Sequence, residues 1–384
     1  MTLLNNISKV KKLLKGSETM EITVKFKIIL TKDQVHLLES ISKEYIYTVN
    51  HLVCSMLQSE KPVKWSSKDV VANMPSAVKN QAIRDARSIC EKYKKALKLN
   101  AKRPTDKQKV IKVPILRKPV CIWNNQNYSF KDGLLRFPVM IDGKSKRMQT
   151  KMILTDYQVT QLQGSWGALR ITKKGTKYMA QISVEKVASE ATGDGVMGVD
   201  LGLKVPAVAV TEVGKTKFFG NGRQNKYLKR KHRATRKALG KTKKLQAIKN
   251  LNDKEQRWMK DQDHQISRRI INFAVQNNVS VLRLEKLTNI RNTARTSRKN
   301  EKNLHTWSFY RLANFIEYKA QLEGIVVEYV DPKYTSQTCP ICAARNKAKD
   351  RDYTCSCGYK THRDRVGAMN IIHAPLVDGN SLSA

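Results

Sequence analysis

Two spacings of apolar residues organise the first hundred positions of the chain. From Val24 to Leu30 every second residue is apolar, which predicts a half-buried strand. After Thr31 the apolar residues recur every three or four positions, and a second stripe of this kind follows Pro75. This spacing is typical of amphipathic helices. We therefore expect a small helical bundle over residues 32 to about 100.

Short apolar runs broken by Gly and Asn follow these helices. They predict strands at residues 110–116, 134–141, 168–172 and 178–184. A lone strand cannot satisfy its own backbone groups. We therefore expect the strand near Val24 to join this later sheet or β-barrel, with the helices as an insertion. The Gly-containing stretch 189–195 is expected to be a linker.

Strands and helices alternate in the second half of the chain. Apolar runs predict strands at 196–201, 205–211, 215–219, 281–284 and 325–330. Helical spacing covers about 224–277 and 307–322. This order predicts a mixed α/β domain.

The charge of the chain indicates its partner. Lys and Arg number 73 against 32 Asp and Glu, a formal charge of +41 over 384 residues. Such an excess favours a polyanion, and nucleic acid is the expected partner. No stretch reaches the ~18 apolar residues of a membrane span, and no signal peptide is recognisable. We expect an intracellular protein with neither a membrane nor a small molecule as its partner.

One segment carries much of this charge. Residues 223–260 hold 15 Lys or Arg and two acids. A solvated helix face is the ordinary explanation for a charge run, but so one-sided an excess favours phosphate contact. The candidate nucleic-acid-binding residues are Lys229, Arg230, Lys231, Arg233, Arg236, Lys237, Lys243 and Lys244.

Four cysteines near the C-terminus have the spacing of a metal site. Cys339 and Cys342 form a CxxC pair, and after a gap of 12 residues Cys355 and Cys357 form a CxC pair. Four thiolates complete the tetrahedron of a structural Zn²⁺. The spacing therefore predicts one zinc ion with no open position. The other three cysteines are expected to be packed.

Three acids form a candidate catalytic set. Asp200 and Glu285 each end a predicted strand, and Asp364 begins the last predicted helix. Taken alone, Asp200 could cap a turn and Asp364 could be a helix N-cap. Glu285 could simply pair with Lys286 or Arg283. Three gathered carboxylates would repel one another unless hard divalent cations neutralised them. The set thus predicts two Mg²⁺ ions, one activating water and one stabilising the leaving 3′ oxygen in phosphodiester hydrolysis.

Several segments together resemble the TnpB family, the transposon-encoded, RNA-guided DNA endonucleases related to type V CRISPR effectors. They are GVDLG at 198–202, DHQIS at 263–267, LEKL at 284–287, VDPKYTSQTC at 330–339, HRD at 362–364 and AMNI at 368–371. The resemblance is dense over 196–373 and rests on architecture alone upstream. It implies an RNase H-like nuclease domain of RuvC type with an inserted zinc ribbon. It also implies that Asp200, Glu285 and Asp364 are the catalytic acids.

The resemblance further implies partners and a division into parts. The partners are a guide RNA from the transposon end and double-stranded target DNA, in a prokaryotic cytoplasm at the nucleoid. The upstream half corresponds to a wedge β-barrel interrupted by a helical recognition bundle. The expected parts are an N-terminal flexible extension (1–19), the first wedge strand (20–31), the recognition insert (32–107), the rest of the wedge (108–188), the linker (189–195), the nuclease domain (196–332), the zinc ribbon for target binding (333–360), the last nuclease helix (361–373) and a disordered tail (374–384).

Three positions depart from the family pattern. Val366 stands where the family usually has Asn, Ala343 replaces a usual Gly, and the second cysteine pair is CxC. Two related alternatives stay open: a nuclease-inactive DNA-binding regulator and a compact type V CRISPR effector. A cut-and-paste transposase is disfavoured, because such enzymes order their acids Asp, Asp, Glu. An RNA-binding protein of ribosomal type has no need of three convergent carboxylates.

Overall fold

The computed structural model describes residues 19–59, 64–118, 120–190, 193–251, 253–287, 307–348 and 350–377. These residues form two compact units, one of residues 19–186 and one that begins at Val187. Most of the predicted N-terminal extension and residues 378–384 of the predicted tail lie outside the described ranges.

The first unit contains a seven-stranded sheet. Its strands are β1 (Thr19–Ile29), β2 (Val120–Trp123), β3 (Ser129–Lys131), β4 (Leu134–Ile141), β5 (Lys144–Ile153), β6 (Ser165–Lys174) and β7 (Lys177–Val187). Their order is β2-β6-β7-β1-β5-β4-β3, so the N-terminal strand lies inside a sheet formed from later residues. Ile28 pairs with Met152 of β5 in an antiparallel register. Over the described residues β2 and β3 are the outer strands, so the sheet is open and not a closed barrel.

Two long helices connect β1 to β2. Helix α1 (Lys32–Gln58) begins at a capping box in which Thr31 and Gln34 exchange hydrogen bonds. Helix α2 (Ser76–Ala101) follows Pro75, and a short helix α3 (Asp156–Gln161) lies between β5 and β6. The buried faces of α1 and α2 share one apolar core with the sheet. The expected bundle is therefore a helix pair that packs on the sheet.

Two expectations for this unit are wrong. Residues 110–116 form no strand. Pro114 lacks an N–H for a ladder, and the backbone of Leu116 is bonded instead to the side chain of Asn50 at 2.9 and 3.0 Å. Cys54 is exposed, whereas Cys90 and Cys121 are buried as expected.

The second unit is built on a five-stranded mixed sheet. Its strands are β8 (Gly195–Asp200), β9 (Ala207–Thr211), β10 (Thr216–Phe219), β11 (Val279–Glu285) and β12 (Val326–Val330), in the order β10-β9-β8-β11-β12. Strand β9 pairs antiparallel with both β10 and β8, whereas β11 pairs parallel with both β8 and β12.

Helices and a small hairpin complete this unit. The helices are α4 (Gly222–Lys241), α5 (Leu245–Asn250), α6 (Lys254–Gln276), α7 (Phe309–Leu322) and α8 (Arg363–His373). Strands β13 (Asp352–Thr354) and β14 (Lys360–His362) form the antiparallel hairpin. The apolar faces of α6 and α7 and the sheet form one core.

The predicted disordered tail is wrong over residues 374–377. Leu376 bridges to Val330, and the N–H of Val377 donates to the carbonyl of Tyr329 at 2.9 Å. The N–H of Asp331 donates to the carbonyl of Pro375. Strand β12 is an outer strand with unpaired backbone groups, and this segment satisfies several of them. Separately, no helix in the described ranges has the length and apolar character of a membrane span.

Candidate active site and metal centre

Asp200 and Glu285 lie side by side at the ends of parallel strands. In the β8–β11 register Val199 is opposite Leu284, and the next residue of each strand is the acid. Because parallel neighbours end at the same edge of a sheet, both carboxylates emerge at that edge. The structure thus brings together the two acids that the sequence placed at strand ends.

Asp364 reaches the same edge from helix α8. It lies in the first turn of α8, where its N–H donates to Nδ1 of the N-cap residue His362 at 3.2 Å. A Cβ on Gly367 would lie 2.7 Å from Oδ2 of Asp200. The Asp200 carboxylate therefore rests against α8 within one turn of Asp364.

A glycine in β8 allows this close approach. A Cβ on Gly198 would lie 2.1 Å from the carbonyl oxygen of Ala368 in α8 and 3.0 Å from Cγ1 of Ile372. The missing side chain therefore lets the helix backbone lie directly on the strand. Helix α8 is thus the element that approaches the GVDLG motif most closely.

The acids interact strongly with one another. Burial raises the pKa of Asp200 well above its usual range; repulsion from Glu285 and Asp364 adds to this, and Arg351 and Arg363 oppose it. Burial also raises the pKa of Glu285 to about 7, against the effect of a hydrogen bond from Thr335. A buried Asp200 carboxylate beside two further acids forms a site that favours added positive charge.

Two side chains that the sequence analysis missed contact these acids. Arg351, between the two cysteine pairs, forms an ion pair with Oδ1 of Asp364 through its Nη1. The hydroxyl of Thr335 donates to Oε1 of Glu285 at 2.5 Å. Oδ2 of Asp364 is buried and makes no hydrogen bond to the described residues. A buried carboxylate oxygen without a donor is an available ligand atom for a cation.

The four cysteines converge. Their Sγ atoms all lie within 4.8 Å of one another; Cys339 and Cys357 are 3.7 Å apart, and Cys342 and Cys355 are 3.4 Å apart. Zn–S bonds of ~2.3 Å give a tetrahedron with edges of about 3.8 Å. Among the described residues they are the one group of three or more His, Cys, Asp or Glu side chains whose ligand atoms all lie this close together. The four cysteines could therefore bind a metal such as zinc.

The surroundings of Cys355 favour its thiolate. The backbone N–H of Cys357 is the main cause that lowers the pKa of Cys355 to about 6. Nδ2 of Asn346 also lies 3.0 Å from this sulfur. The turn after the first pair places Ala343 at φ 58°, a left-handed conformation that favours glycine. This conformation explains physically why the family usually has Gly there.

The cysteine segment, residues 339–357, is tied to the acids. Val366 is fully buried in one apolar cluster with Cys339, Tyr353 and Cys355. Nδ2 of Asn370 in α8 donates to the carbonyls of Thr335 and Thr338 at 2.6 and 2.7 Å. The position where the family usually has Asn thus serves here as packing between the cysteine segment and α8.

The predicted nucleic-acid-binding residues fall into two groups. Lys229, Arg230 and Arg233 line a cavity of about 530 Å³ beside α4. Arg236 forms an ion pair with Glu255 at 2.8 Å. The second group lies outside the cavity lining and consists of Lys231, Arg236, Lys237, Lys243 and Lys244. Three of the eight residues therefore line the cavity, and a role of all eight in nucleic-acid binding stays a prediction.

Two stretches of the chain match models of known families. Residues 180–291 match a family described as "Probable transposase", and residues 309–371 match one described as "Cas12f1-like, TNB domain". The cysteine segment and Asp364 fall in the second match, and Asp200 and Glu285 in the first. The fold and these matches define a class that includes transposon-encoded and CRISPR-associated proteins.

The particular relatives are TnpB-like and Cas12f1 proteins. The chain is 36% identical over 149 residues to the TnpB-like protein MJ0751 of Methanocaldococcus jannaschii, over 38% of this chain and 53% of that protein. It is 28% identical over 257 residues to the CRISPR-associated endodeoxyribonuclease Cas12f1 of Sulfoacidibacillus thermotolerans, over 61% of this chain and 57% of the relative. The chain thus spans little more than half the length of these relatives.

The fold is also that of a solved relative. The chain matches Cas12f1 in the cryo-EM structure of the Cas12f1-sgRNA-target DNA complex with a TM-score of 0.65 and 13% identity, over 94% of this chain and 100% of that one. At this identity the likeness concerns the fold alone. The resemblance to TnpB that the motifs predicted is confirmed, and the chain has an α/β fold like that of Cas12f1.

Proposed function

We propose that this protein is an RNA-guided, divalent-metal-dependent DNA endonuclease with a single active site of RuvC type. Asp200, Glu285 and Asp364 are its proposed catalytic acids. It would cut target DNA next to a short adjacent motif, with base pairing to the guide reading the rest of the target.

The observation that carries this proposal is the gathering of three acids at one sheet edge. Asp200 and Glu285 end neighbouring parallel strands, and α8 brings Asp364 to them across Gly198. The pKa of Asp200 responds to both other carboxylates. A structural role for one acid would not require the other two to be placed there, at the cost of their mutual repulsion.

The chemistry of the donor set fits Mg²⁺. Hard oxygen ligands and one buried carboxylate oxygen without a hydrogen bond suit a hard cation. The three acids would hold two such ions, which supply an activated water and stabilise the leaving 3′ oxygen of a phosphodiester. Thr335 orients Glu285 through its hydroxyl, and Arg351 places a positive charge beside Asp364.

We infer one structural Zn²⁺ at Cys339, Cys342, Cys355 and Cys357, as the core of a zinc ribbon. Four sulfurs with spacings near those of a tetrahedron leave no position for a substrate. The ribbon's proposed role is to hold the chain that leads to Thr335 and Asp364, and to contact target nucleic acid.

The partners follow from the relatives and from the charge. The Cas12f1 relative is a CRISPR-associated endodeoxyribonuclease, and the solved structure of the same fold is a complex with an sgRNA and target DNA. By analogy we propose a guide RNA from a transposon end and double-stranded target DNA as partners. A formal charge of +41 supports polyanionic partners.

Acid variants test the proposal. In protein co-expressed with RNA from its own locus, Asp200→Ala, Glu285→Ala and Asp364→Ala should lower target cleavage at least ~100-fold, because each removes a proposed metal ligand. Binding of guide and target should stay within about threefold. Glu212→Ala, which removes an exposed acid, is the matched control and should cut normally. Chelation of Mg²⁺ should mimic the acid variants, and added Mg²⁺ should rescue the wild type.

The same experiment separates the alternatives. Cleavage by all three variants at the wild-type rate would refute the active site. A wild type that binds guided target but never cuts would identify a nuclease-inactive regulator. A guide encoded in a CRISPR array, and not at the transposon end, would identify a compact type V effector.

A further inference from the structure

A cavity of about 530 Å³ lies beside helix α4 in the second unit. We call it the α4 cavity. One face of α4 lines it, including Arg223, Lys226, Arg230 and Arg233, and Arg351 lines it as well. Spacings of three and four residues place these α4 side chains on one side of the helix.

The lining is strongly cationic. Seven Lys or Arg side chains line the cavity against one acid, Asp263. That acid is buried and already engaged, since Nε and Nη2 of Arg311 lie 2.7 and 2.6 Å from its Oδ2. The cavity therefore carries an excess of positive charge that suits an anionic ligand.

The cavity also offers a surface for a base. Trp307 lines it, together with apolar groups that include Met259 and Leu312. Cations around an aromatic side chain are the features by which proteins hold an unpaired nucleic-acid strand, through phosphate contacts and base stacking. The volume is that of a pocket for a ligand of drug-like size. It suits about one nucleotide, and a duplex could not enter it.

The cavity adjoins the proposed catalytic acids through Arg351. This residue lines the cavity and forms an ion pair with Asp364. Gly202, which also lines the cavity, follows Asp200 by two residues. A nucleotide in the cavity would therefore belong to the same strand as a phosphodiester held near the acids.

We propose that the α4 cavity binds a nucleotide of the unpaired DNA strand that is being cut. The proposal rests on the proposed nuclease function and adds a division of labour to it. The cavity face of α4 would serve the substrate strand, and the cations of α4 outside the cavity would add only diffuse attraction. The basic helix is then not the holder of the guide RNA.

A matched pair of triple variants tests this division. One variant replaces Arg223, Lys226 and Arg230 in the cavity lining by Gln. The other replaces Lys241, Lys249 and Lys254 by Gln; these are exposed residues of α4, α5 and α6 outside the lining, and none is a candidate nucleic-acid-binding residue. Both lose three charges, and Gln forms helices about as well as Lys or Arg. Thermal unfolding of both variants checks that the fold is kept.

The first measurement is binding of a labelled 12-nucleotide oligothymidine to the full chain in EDTA, between 50 and 200 mM salt. Removal of three phosphate contacts should reduce the slope of log affinity against log salt by about 2 for the cavity variant. The slope of the control variant should fall by less than about 1. Equal changes in the two variants would overturn the proposal, because they would mean that residues 222–276 act only through their overall charge.

The second measurement is guided cleavage. The cavity variant should cut at least about tenfold more slowly than wild type with guide and target binding within about threefold, and the control variant should cut normally. Loss of guide RNA from the cavity variant alone would also overturn the proposal, since α4 would then hold the guide. If the wild type itself does not cut, the nuclease function fails, whereas the oligothymidine comparison still decides whether the cavity binds a single strand.

Discussion

Replacing Gly198 by Ala tests how the active site is held together. The added Cβ would lie 2.1 Å from the carbonyl oxygen of Ala368, a backbone atom that cannot rotate away. Real Cβ contacts are essentially never shorter than 3.0 Å. Helix α8 must therefore move away from β8 by about 1 Å, and Asp364 in its first turn must move with it.

Both stability and activity should respond. Overpacking of this kind costs about 1–3 kcal/mol, which for a unit of this size lowers the melting temperature by about 2–12 °C. A displacement of ~1 Å at a reacting centre costs up to about 100-fold in rate. Gly198→Ala should therefore fold, melt earlier and cleave guided target up to about 100-fold more slowly at a temperature well below its melting point.

A second glycine supplies the control. Gly240 lies in helix α4 with nothing within 4 Å of its ideal Cβ. Gly240→Ala should stabilise the helix by up to ~1 kcal/mol without slowing cleavage. Thermal unfolding and single-turnover cleavage, measured on both variants, decide the matter. Wild-type melting and cleavage by Gly198→Ala would refute the close contact of α8 and β8, and early melting with normal cleavage would show that this contact does not position Asp364.

Further variants probe the cysteine cluster and a half-buried histidine. Cys339→Ser should lower the zinc content from one ion per chain and slow cleavage, because four thiolates complete the site. The control Cys54→Ser, at an exposed cysteine, should do neither. Fully active protein in which elemental analysis finds no zinc would contradict the assignment. The ring of His264 stacks on that of Phe315 with 3.9 Å between the ring centroids, and burial lowers the pKa of His264 to about 4. The neutral His264 side chain therefore makes its full contribution to the free energy of unfolding above about pH 6.5, and this contribution is lost as the pH falls towards 4. Wild type should lose about 2 kcal/mol between pH 7 and pH 5 relative to His264→Gln in denaturant unfolding, and equal pH dependence of the two proteins would refute this origin.

Local patterns predicted the elements that depend on local chemistry. The alternation that includes Val24 and Phe26 became a strand with those residues buried, and the change of spacing at Thr31 became a capped helix. The cysteine spacing likewise predicted a cluster, because a knuckle closes over few residues. Membership of β1 in the later sheet followed from a general need, the pairing of its backbone groups.

Strand β5 shows where the apolar pattern failed. Residues 144–153 are mostly charged or polar, and only Met148 and Thr150 are buried. The signal that could have found it is the Asp142-Gly143 pair, whose φ angles of 50° and 71° make the tight turn between β4 and β5. An Asp-Gly hairpin turn sets the register of a strand whose side chains do not.

The places of the three acids in the fold were predictable, whereas the side chains that contact them were not. Strand ends and a helix start can be read from periodicity, but the hydrogen bond from Thr335 to Glu285 and the pairing of Arg351 with Asp364 join residues 50 and 13 positions apart. Both partners lie in the stretch between β12 and α8 that also contains the cysteines. This placement has a physical consequence: if the cysteine segment fails to fold, Thr335, Arg351 and the start of α8 lose their support together. A metal bound by the four cysteines would therefore affect the acid site by holding the fold of residues 335–364, and it would not contact the reacting atoms.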